Sequence, residues 1–586
     1  MIEDVLVDAP NAVKGRRVGG RYLQWSLLVI GVLMNGYGFA QALPDAGRVL
    51  EGVRAPVPGV KKPVQINEAS EPQTYRPALQ EDSSIRIPVK DIRLSGFVVF
   101  PPTEMRPLYE GVLDREVSLG ELTATVEKIT TFYRDQGFLL ARAYLPEQEI
   151  KDGVVEVTVL VGSFDRTHIV NQSRLNDEAA EALAQSVVKG APVTEWAVER
   201  ATYLAEDMPG VEARGLLRPG SVTGTTDFVL DLREDEPLRV LSFKYDNEGS
   251  MYTGRHRFNA GLNLSNPSGK GDRFSAQLLT TGIGVRSLSA SYDYPLNYNG
   301  TRLTTTASYS TYQLMEDYRA SFGRYGSAQV LGLSLTHAVK RTRLSNFYVT
   351  AGFDSKSMRD HTPLYDSLED PLSDPLAKRR VNKLTFGISG NEKSKDGSRY
   401  FSYSLSSSIG YVSLLTSGLV LSDASVSTSG FFSKQELKLT YLQHLWDTNS
   451  LQIVYSGQRA GKNLDSSEQF SIGGSTGVRA YPQGEGGGDD VHQINVELQH
   501  GMGEMGGGFA TGFLFFDHAN SQIRHAPPAG YTGNRRQLSA LGFGLDWNNS
   551  LGYTFRGIFA HRLGGSLAQA EPDSPHRLWV ELGRTY

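Results

Sequence analysis

From Arg239 to the end of the chain, short segments alternate between apolar and polar residues, and none carries a convincing helical period. In Val491–His500 one face holds Ile494, Val496 and Leu498, and the other Gln493, Asn495, Glu497 and Gln499. In Ala540–Trp547, Leu541, Phe543, Leu545 and Trp547 lie opposite Ala540, Gly542, Gly544 and Asp546. A sheet patterned this way has one apolar face, which either packs on a second sheet or meets lipid. Beyond residue 42 no apolar run approaches the ~18 residues a spanning helix requires, so the chain can cross a membrane only as a closed barrel. The soluble alternatives are a large antiparallel sandwich or a propeller; no blade motif repeats along the chain. Residues 237–586 hold 20 of the 27 tyrosines and 18 of the 25 phenylalanines, as aromatic girdles require. At roughly 22 residues per strand with its turn, they give about 16 strands, an even number.

The final segment, Leu578–Tyr586, alternates and ends on an aromatic, as expected of a strand that the barrel assembly machinery recognises. Leu578, Val580, Leu582 and Tyr586 share one face; Arg584 interrupts it and is expected to snorkel to the interface.

The N-terminus reads as an export signal. Lys14, Arg16, Arg17 and Arg21 precede the short apolar run Trp25–Met34, and Ala40-Gln-Ala42 supplies small residues for cleavage, giving a signal peptide over 1–42. The chain has no cysteine, which excludes a disulfide framework, a thiol nucleophile and a cysteine-bound metal. With 59 Lys+Arg against 64 Asp+Glu it lacks the basic excess of a nucleic-acid binder, so no nucleic-acid partner is expected.

Between signal and barrel the composition changes twice. Pro44–Gly52 is expected to form a short helix within residues 43–60, too short to be stable without docking. An extended linker follows over 61–88, in a stretch where residues 54–88 hold six prolines. Two α+β units of similar length come next, over 89–162 and 163–236. In the first, Ile92–Phe100, Leu139–Tyr144 and Val154–Val161 read as strands. Leu122, Val126, Ile129 and Tyr133 mark a helix that Gly137 ends. In the second, Asp177–Val188 and Thr194–Met208 read as helices and Thr226–Leu232 as a closing strand.

The chain resembles the two-partner secretion transporters, the haemolysin-activator and filamentous-haemagglutinin transporter family, or TpsB class. The resemblance rests on Tyr133–Phe138, Tyr144–Gln148 and Gly153 in the first unit, and on Glu199-Arg-Ala, Met208–Val211 and Leu217–Gly220 in the second. It continues in Asp246–Gly249, Thr253-Gly254, Asn266–Asp272 and Tyr292–Leu296. It implies a plug helix at 43–60, two periplasmic POTRA domains at 89–162 and 163–236, and a 16-stranded membrane β-barrel over 237–586. It also implies an outer-membrane location and the nucleotide-free export of one large β-helical partner, such as an adhesin, a cytolysin or a contact toxin. Outer-membrane lipids and the barrel assembly machinery are the other partners expected. The family's inward loop carries a Val-Arg-Gly-Tyr type motif, matched here by Val478, Arg479, Ala480 and Tyr481. Ala480 stands where the family has Gly, and would be strained if that position needs a positive φ. The family's Arg pairs with a barrel-wall carboxylate. Asp517, at the end of Gly512–Asp517, is the first choice for that partner, with Glu497 and Asp546 as alternatives.

No catalytic, cofactor or metal site is expected. Gly473–Gly477 matches the G-x-S-x-G elbow, but a glycine-rich loop follows rather than a helix. Gly484–Asp490 is expected to be a flexible loop, with Asp489 and Asp490 solvated and unpartnered. His492 and His500 lie eight residues apart on one strand face, roughly 26 Å, too far to share a metal. The competing readings are a barrel-assembly factor, a solute porin and an outer-membrane hydrolase.

Overall fold

The computed structural model describes residues 45–52, 86–315, 323–363 and 376–586. The expected signal peptide, and the expected linker up to residue 85, lie outside these residues. Helix α1 (Ala46–Gly52) is the described part of the expected short helix.

In the first unit, β1 (Arg86–Val89) pairs with β3 (Arg115–Ser118), starting within the stretch expected to be linker. Strands β2 (Asp91–Gly96), β5 (Val154–Leu160) and β4 (Arg142–Tyr144) form a sheet in that order. The expected strand over Ile92–Phe100 ends early because Gly96 turns the chain at φ 82°. Helix α2 (Pro102–Tyr109) was not expected; its two prolines mask a helix that begins with Pro102 in its first turn and buries Met105 and Tyr109. Helix α3 (Leu119–Asp135) opens with a capping box between Ser118 and Glu121 and lays Leu122, Val126, Ile129 and Tyr133 among Val155, Val157 and Val159. Each such fully buried aliphatic side chain is worth about 1.5–3 kcal/mol.

The second unit is a sheet in the order β6 (Ser163–Gln172), β8 (Thr225–Glu234), β7 (Val211–Pro219), covered by α4 (Asp177–Leu183) and α5 (Glu195–Glu206). Helix α4 stops at Leu183, short of the expected Val188, and Thr194 caps α5 by accepting from Ala197 N. This unit is bolted to one end of the barrel. Arg341 donates two 2.8 Å hydrogen bonds to Asp207, and Arg200 reaches Asn299 and the carbonyls of Ala338 and Val339.

The barrel closes through 16 antiparallel strands. They are β9 (Arg239–Asp246), β10 (Arg257–Ser265), β11 (Arg273–Thr280), β12 (Val285–Pro295), β13 (Thr301–Gln313), β14 (Tyr325–Arg341), β15 (Ser345–His361) and β16 (Leu376–Lys393), then β17 (Arg399–Leu414), β18 (Gly430–His444), β19 (Asn449–Ala460), β20 (Asp490–Met505), β21 (Gly508–Gln522), β22 (Arg535–Asn548), β23 (Tyr553–Leu563) and β24 (His576–Thr585). Apolar residues face outward as the alternation predicts: Leu384, Phe386, Leu541 and Phe543 are exposed, while their neighbours Lys383 and Ala540 are buried inside.

The seam is short. Strand β24 pairs with β9 from Glu581 to Thr585 against Asp246 to Ser242, and Leu241 and Tyr586 exchange backbone hydrogen bonds just beyond. Beyond Glu581, Asn247 continues the ladder: its backbone N–H donates to Val580 O, and its side chain donates to Leu578 O and accepts from Val580 N. Arg584 does not simply snorkel. Its guanidinium carbon lies 4.4 Å from the ring centre of Tyr553 and 4.1 Å from that of Tyr586, so aromatic faces receive the charge. Among the described barrel residues, a short α-helix departs from the all-strand expectation: α6 (Ser417–Asp423) lies between β17 and β18, where Leu419-Val-Leu421 reads equally as a strand.

Candidate functional site

The connection from β19 to β20, residues 461–489, folds back against the inner wall of the barrel. Glycine makes its tight turn possible. Gly474 sits at φ 103°, and a Cβ there would lie 2.2 Å from Gln483 Oε1. The turn is closed by Val478 N donating to Ile472 O at 2.7 Å. Val478, Ala480 and Tyr481 are buried against Phe513, Phe515, Ala540 and Trp579 of the wall. Ala480 lies outside the left-handed region, so a residue with a Cβ is unstrained there.

This packing delivers Arg479 to two carboxylates. Its Nε and Nη2 donate to Asp517 Oδ2 and Oδ1 at 2.9 and 2.7 Å, and its backbone N–H donates to Oδ2 at 3.1 Å. Its Nη1 also pairs with Glu497. The fork of a guanidinium matches a carboxylate in two parallel hydrogen bonds, which an ammonium group cannot copy. Alternation on β21 puts Phe515 on the same inward face as Asp517, and the guanidinium carbon lies 3.5 Å from its ring centre. Asn495 braces Asp517 Oδ1 at 2.8 Å, and Trp579 Nε1 donates to Arg479 O at 2.7 Å. Of the three carboxylates considered from sequence, Asp517 and Glu497 are brought to Arg479 together. Asp546 is not; it faces Arg556 at 3.6 Å. Tyr481 donates to Ser566 O at 2.8 Å.

The loop has further attachments that its sequence does not announce. Near its start, a turn over Ser466–Glu468 drives Glu468 among three lysines of the wall. Lys356 Nζ is 2.6 Å from Oε1, and Lys383 Nζ and Lys434 Nζ are each 3.1 Å from Oε2. Glu468 has no exposed surface, and Lys356 and Lys434 also donate to the carbonyls of Ser467 and Glu468. Beside them Arg379 meets Asp360 at 2.7 Å, Asp465 at 2.9 Å and, in the short helix region, Asp45 at 3.0 Å. Ser466 donates to Asp45 and Ala46 N donates to Asp360, so α1 and the loop share one arginine.

The Gly484–Asp490 stretch is packed, contrary to its expected looseness. Buried Glu485 pairs with Arg536 at 2.5 Å and accepts from the N–H groups of Gln569 and Ala570, both at 2.8 Å. Asp489 accepts from Gln469 Nε2 and His525 N, and Asp490 from Ala460 N. These two aspartates are therefore partnered; sequence reasoning missed it because their partners lie about 20 to 35 positions away. His492 and His500 take separate partners, the hydroxyl of Tyr455 and the side chain of Asn449.

Residues 224–518 match the family model "Haemolysin secretion/activation protein ShlB/FhaC/HecB", and residues 87–162 match "POTRA domain, ShlB-type". Among curated relatives, the heme/hemopexin transporter protein HuxB of Haemophilus influenzae is 27% identical over 494 residues, 82% of this chain and 84% of that protein. The outer membrane transporter CdiB of Dickeya dadantii is 21% identical over 415 residues, 69% of this chain and 71% of that protein. Among solved structures, CdiB from Escherichia coli superposes with a TM-score of 0.71 at 16% identity, covering 93% of this chain and all of that one. CdiB from Acinetobacter baumannii gives 0.64 at 14% identity, covering 96% and 98%.

Proposed function

Because the chain belongs to the haemolysin secretion/activation family of two-partner secretion transporters in the outer membrane, with its POTRA region in the periplasm, we propose that it exports one large β-helical partner protein without a nucleotide. The observation that carries this reading is the inward loop. The loop is tied to the inner wall at Arg479, Glu468 and Glu485 and reinforced by a docked helix at Arg379. These contacts support a pore closed at rest by two elements held by reversible ion pairs.

In this reading the two units at 89–162 and 163–236 are POTRA domains that capture the unfolded partner by adding it to a sheet edge, where backbone hydrogen bonds supply affinity. Strands β2, β4, β6 and β7 lie at the edges of their sheets, where such pairing would take place. The second unit, fastened to the barrel by Arg341–Asp207, hands the chain to the lumen, and folding outside draws it through. Residues 43–60 act as the plug and 478–481 as the loop's anchoring motif. The membrane partners in this account are outer-membrane lipids and the barrel assembly machinery.

Co-expression with a neighbouring large exported β-helical protein tests the proposal: the partner should reach the medium only when the transporter is present. Release that is equal without the transporter would overturn it. Deleting residues 43–60 should raise conductance in planar bilayers while secretion persists, and unchanged conductance would remove the plug role.

A further inference from the structure

The end of the barrel away from the second unit carries a group of outward-facing cations. Arg341 of β14, which holds Asp207, marks the periplasmic end, so His361 of β15 and Leu376 of β16 stand at the opposite, external end. There, Arg359 lies directly across the strand pair from Lys378, and Arg380 is two positions further along β16, opposite Ser357. All three face outward, since the alternating residues Asp360 and Arg379 turn inward and bond each other at 2.7 Å. Arg359 and Arg380 are exposed and Lys378 is half-buried.

Like charges placed directly opposite one another on a sheet repel. Among the described residues, the adjoining outward positions, Ser327 and Gln329, Ser355, Ser357 and His361, and Asn382 and Ser413, include no carboxylate. The carboxylates at this level of β15, Asp354 and Asp360, belong to the interior, where they meet Lys383 and Arg379. A surface built this way favours an anionic ligand.

The height of the group says which anion. The outward apolar band on these strands ends at Leu384 opposite Phe353, both exposed. Arg380 is four residues beyond it, about 10 Å along the barrel axis for a strand rising ~3.3 Å per residue and tilted 35–45°. That is the level of a lipid headgroup just outside the hydrocarbon. An aromatic pair, Tyr411 and Phe431, with ring centres 4.9 Å apart, flanks the group at the level of Asn382, as an interfacial girdle would. The exposed side chain of Leu415, whose N–H bonds the Lys378 carbonyl at 2.8 Å, adds an apolar edge on the other side.

We propose that Arg359, Lys378 and Arg380 form a binding site for the phosphate groups of the phosphorylated glycolipid in the outer leaflet of the outer membrane. Two guanidinium forks and an ammonium within one strand pair suit a phosphorylated sugar headgroup, while the apolar band below receives its acyl chains. The inference goes beyond the transport reading and depends only on the membrane location.

The test uses the full-length protein in detergent, with lipid binding read by native mass spectrometry and by the shift in thermal unfolding. Diphosphorylated lipid A should bind at least tenfold more tightly than its dephosphorylated form. The triple variant Arg359→Gln, Lys378→Gln, Arg380→Gln should lose that preference, with Arg380→Gln alone losing part of it. Heat-modifiable gel mobility checks that each variant retains its barrel, and Arg286→Gln, at an outward arginine elsewhere on the rim, should bind as the unaltered protein does. Equal binding by the triple variant and the unaltered protein would overturn the site. So would equal binding of the two lipid forms, or full displacement by inorganic pyrophosphate at the lipid's concentration, which would indicate a free-phosphate site.

Discussion

The two limbs of the inward loop are fastened by opposite chemistry. At Glu468 the loop contributes the anion and the wall three lysines; at Arg479 the loop contributes the cation and the wall two carboxylates. Lysines are point charges on flexible stems, so three of them can follow a carboxylate that shifts by a fraction of an ångström. The Arg479 fork cannot follow: it is fixed by a bidentate bond to Asp517, by its own backbone N–H on the same carboxylate and by the Phe515 ring. The first limb is held by charge, tolerant of position. The second is held by geometry, and a small displacement undoes it. If the loop is the gate proposed above, the first anchor would keep it nearby and the second would release sharply.

Breaking the charge anchor should have the largest effect on stability. Glu468→Ala strands three buried lysines, and orphaning one partner of a buried ion pair costs about 3–5 kcal/mol. The first limb should become protease-sensitive and the pore should leak in bilayers; a variant with unchanged cleavage and conductance would show that Glu436 and Asp354 suffice for these lysines. Arg479→Ala should come next, releasing Asp517 and Glu497 together, abolishing partner secretion while the barrel still inserts. Normal secretion by that variant would remove the anchor from the mechanism. Asp517→Ala should behave similarly and couple to it in a double-mutant cycle, whereas additive effects would shift the weight to Glu497.

A third substitution sharpens the contrast. Arg479→Lys keeps the charge and loses the fork, so secretion should fall well below normal, whereas Lys383→Arg at the other anchor should be nearly silent in the same assay. If both variants secrete equally, the distinction between charge and geometry fails. The smallest effect belongs to Asp546→Asn, within about 0.5 kcal/mol of the unaltered protein in thermal unfolding, because its contact with Arg556 is long and partly exposed. A larger loss would mean that Asp546 contributes to the Arg479 seat after all.

The legible parts of this molecule were those with a short period. Alternation on β20, β22 and β24, and the spacing of Leu122, Val126, Ile129 and Tyr133 on α3, follow from where water is excluded, which repeats every two or 3.6 residues. Asp517 was within reach because its strand, Gly512–Asp517, matches a family pattern. Glu468 and its lysines carried no such mark: each lysine sits on an otherwise ordinary strand, and the partners lie as many as 112 positions apart. Helix α2 was obscured by its prolines. The Asp489–Asp490 pair looked solvated because a carboxylate in a glycine-rich loop looks the same in sequence whether its partner is water or His525.

The short seam has a consequence for how the molecule comes into being. Every other neighbouring pair of barrel strands is consecutive in the chain, but Lys244 of β9 meets Glu581 of β24 across 337 positions. Bringing the ends of so long a segment together carries an entropic toll that five ladder pairs, the Leu241–Tyr586 exchange, the bonds of Asn247 and the Lys244–Glu581 pair repay directly. The cylinder therefore closes last, after its final ten residues are made. Until then the nascent sheet has two bare edges, each able to pair with whatever strand it meets first. The same property that makes the seam slow to form keeps both edges open to mispairing until the cylinder closes.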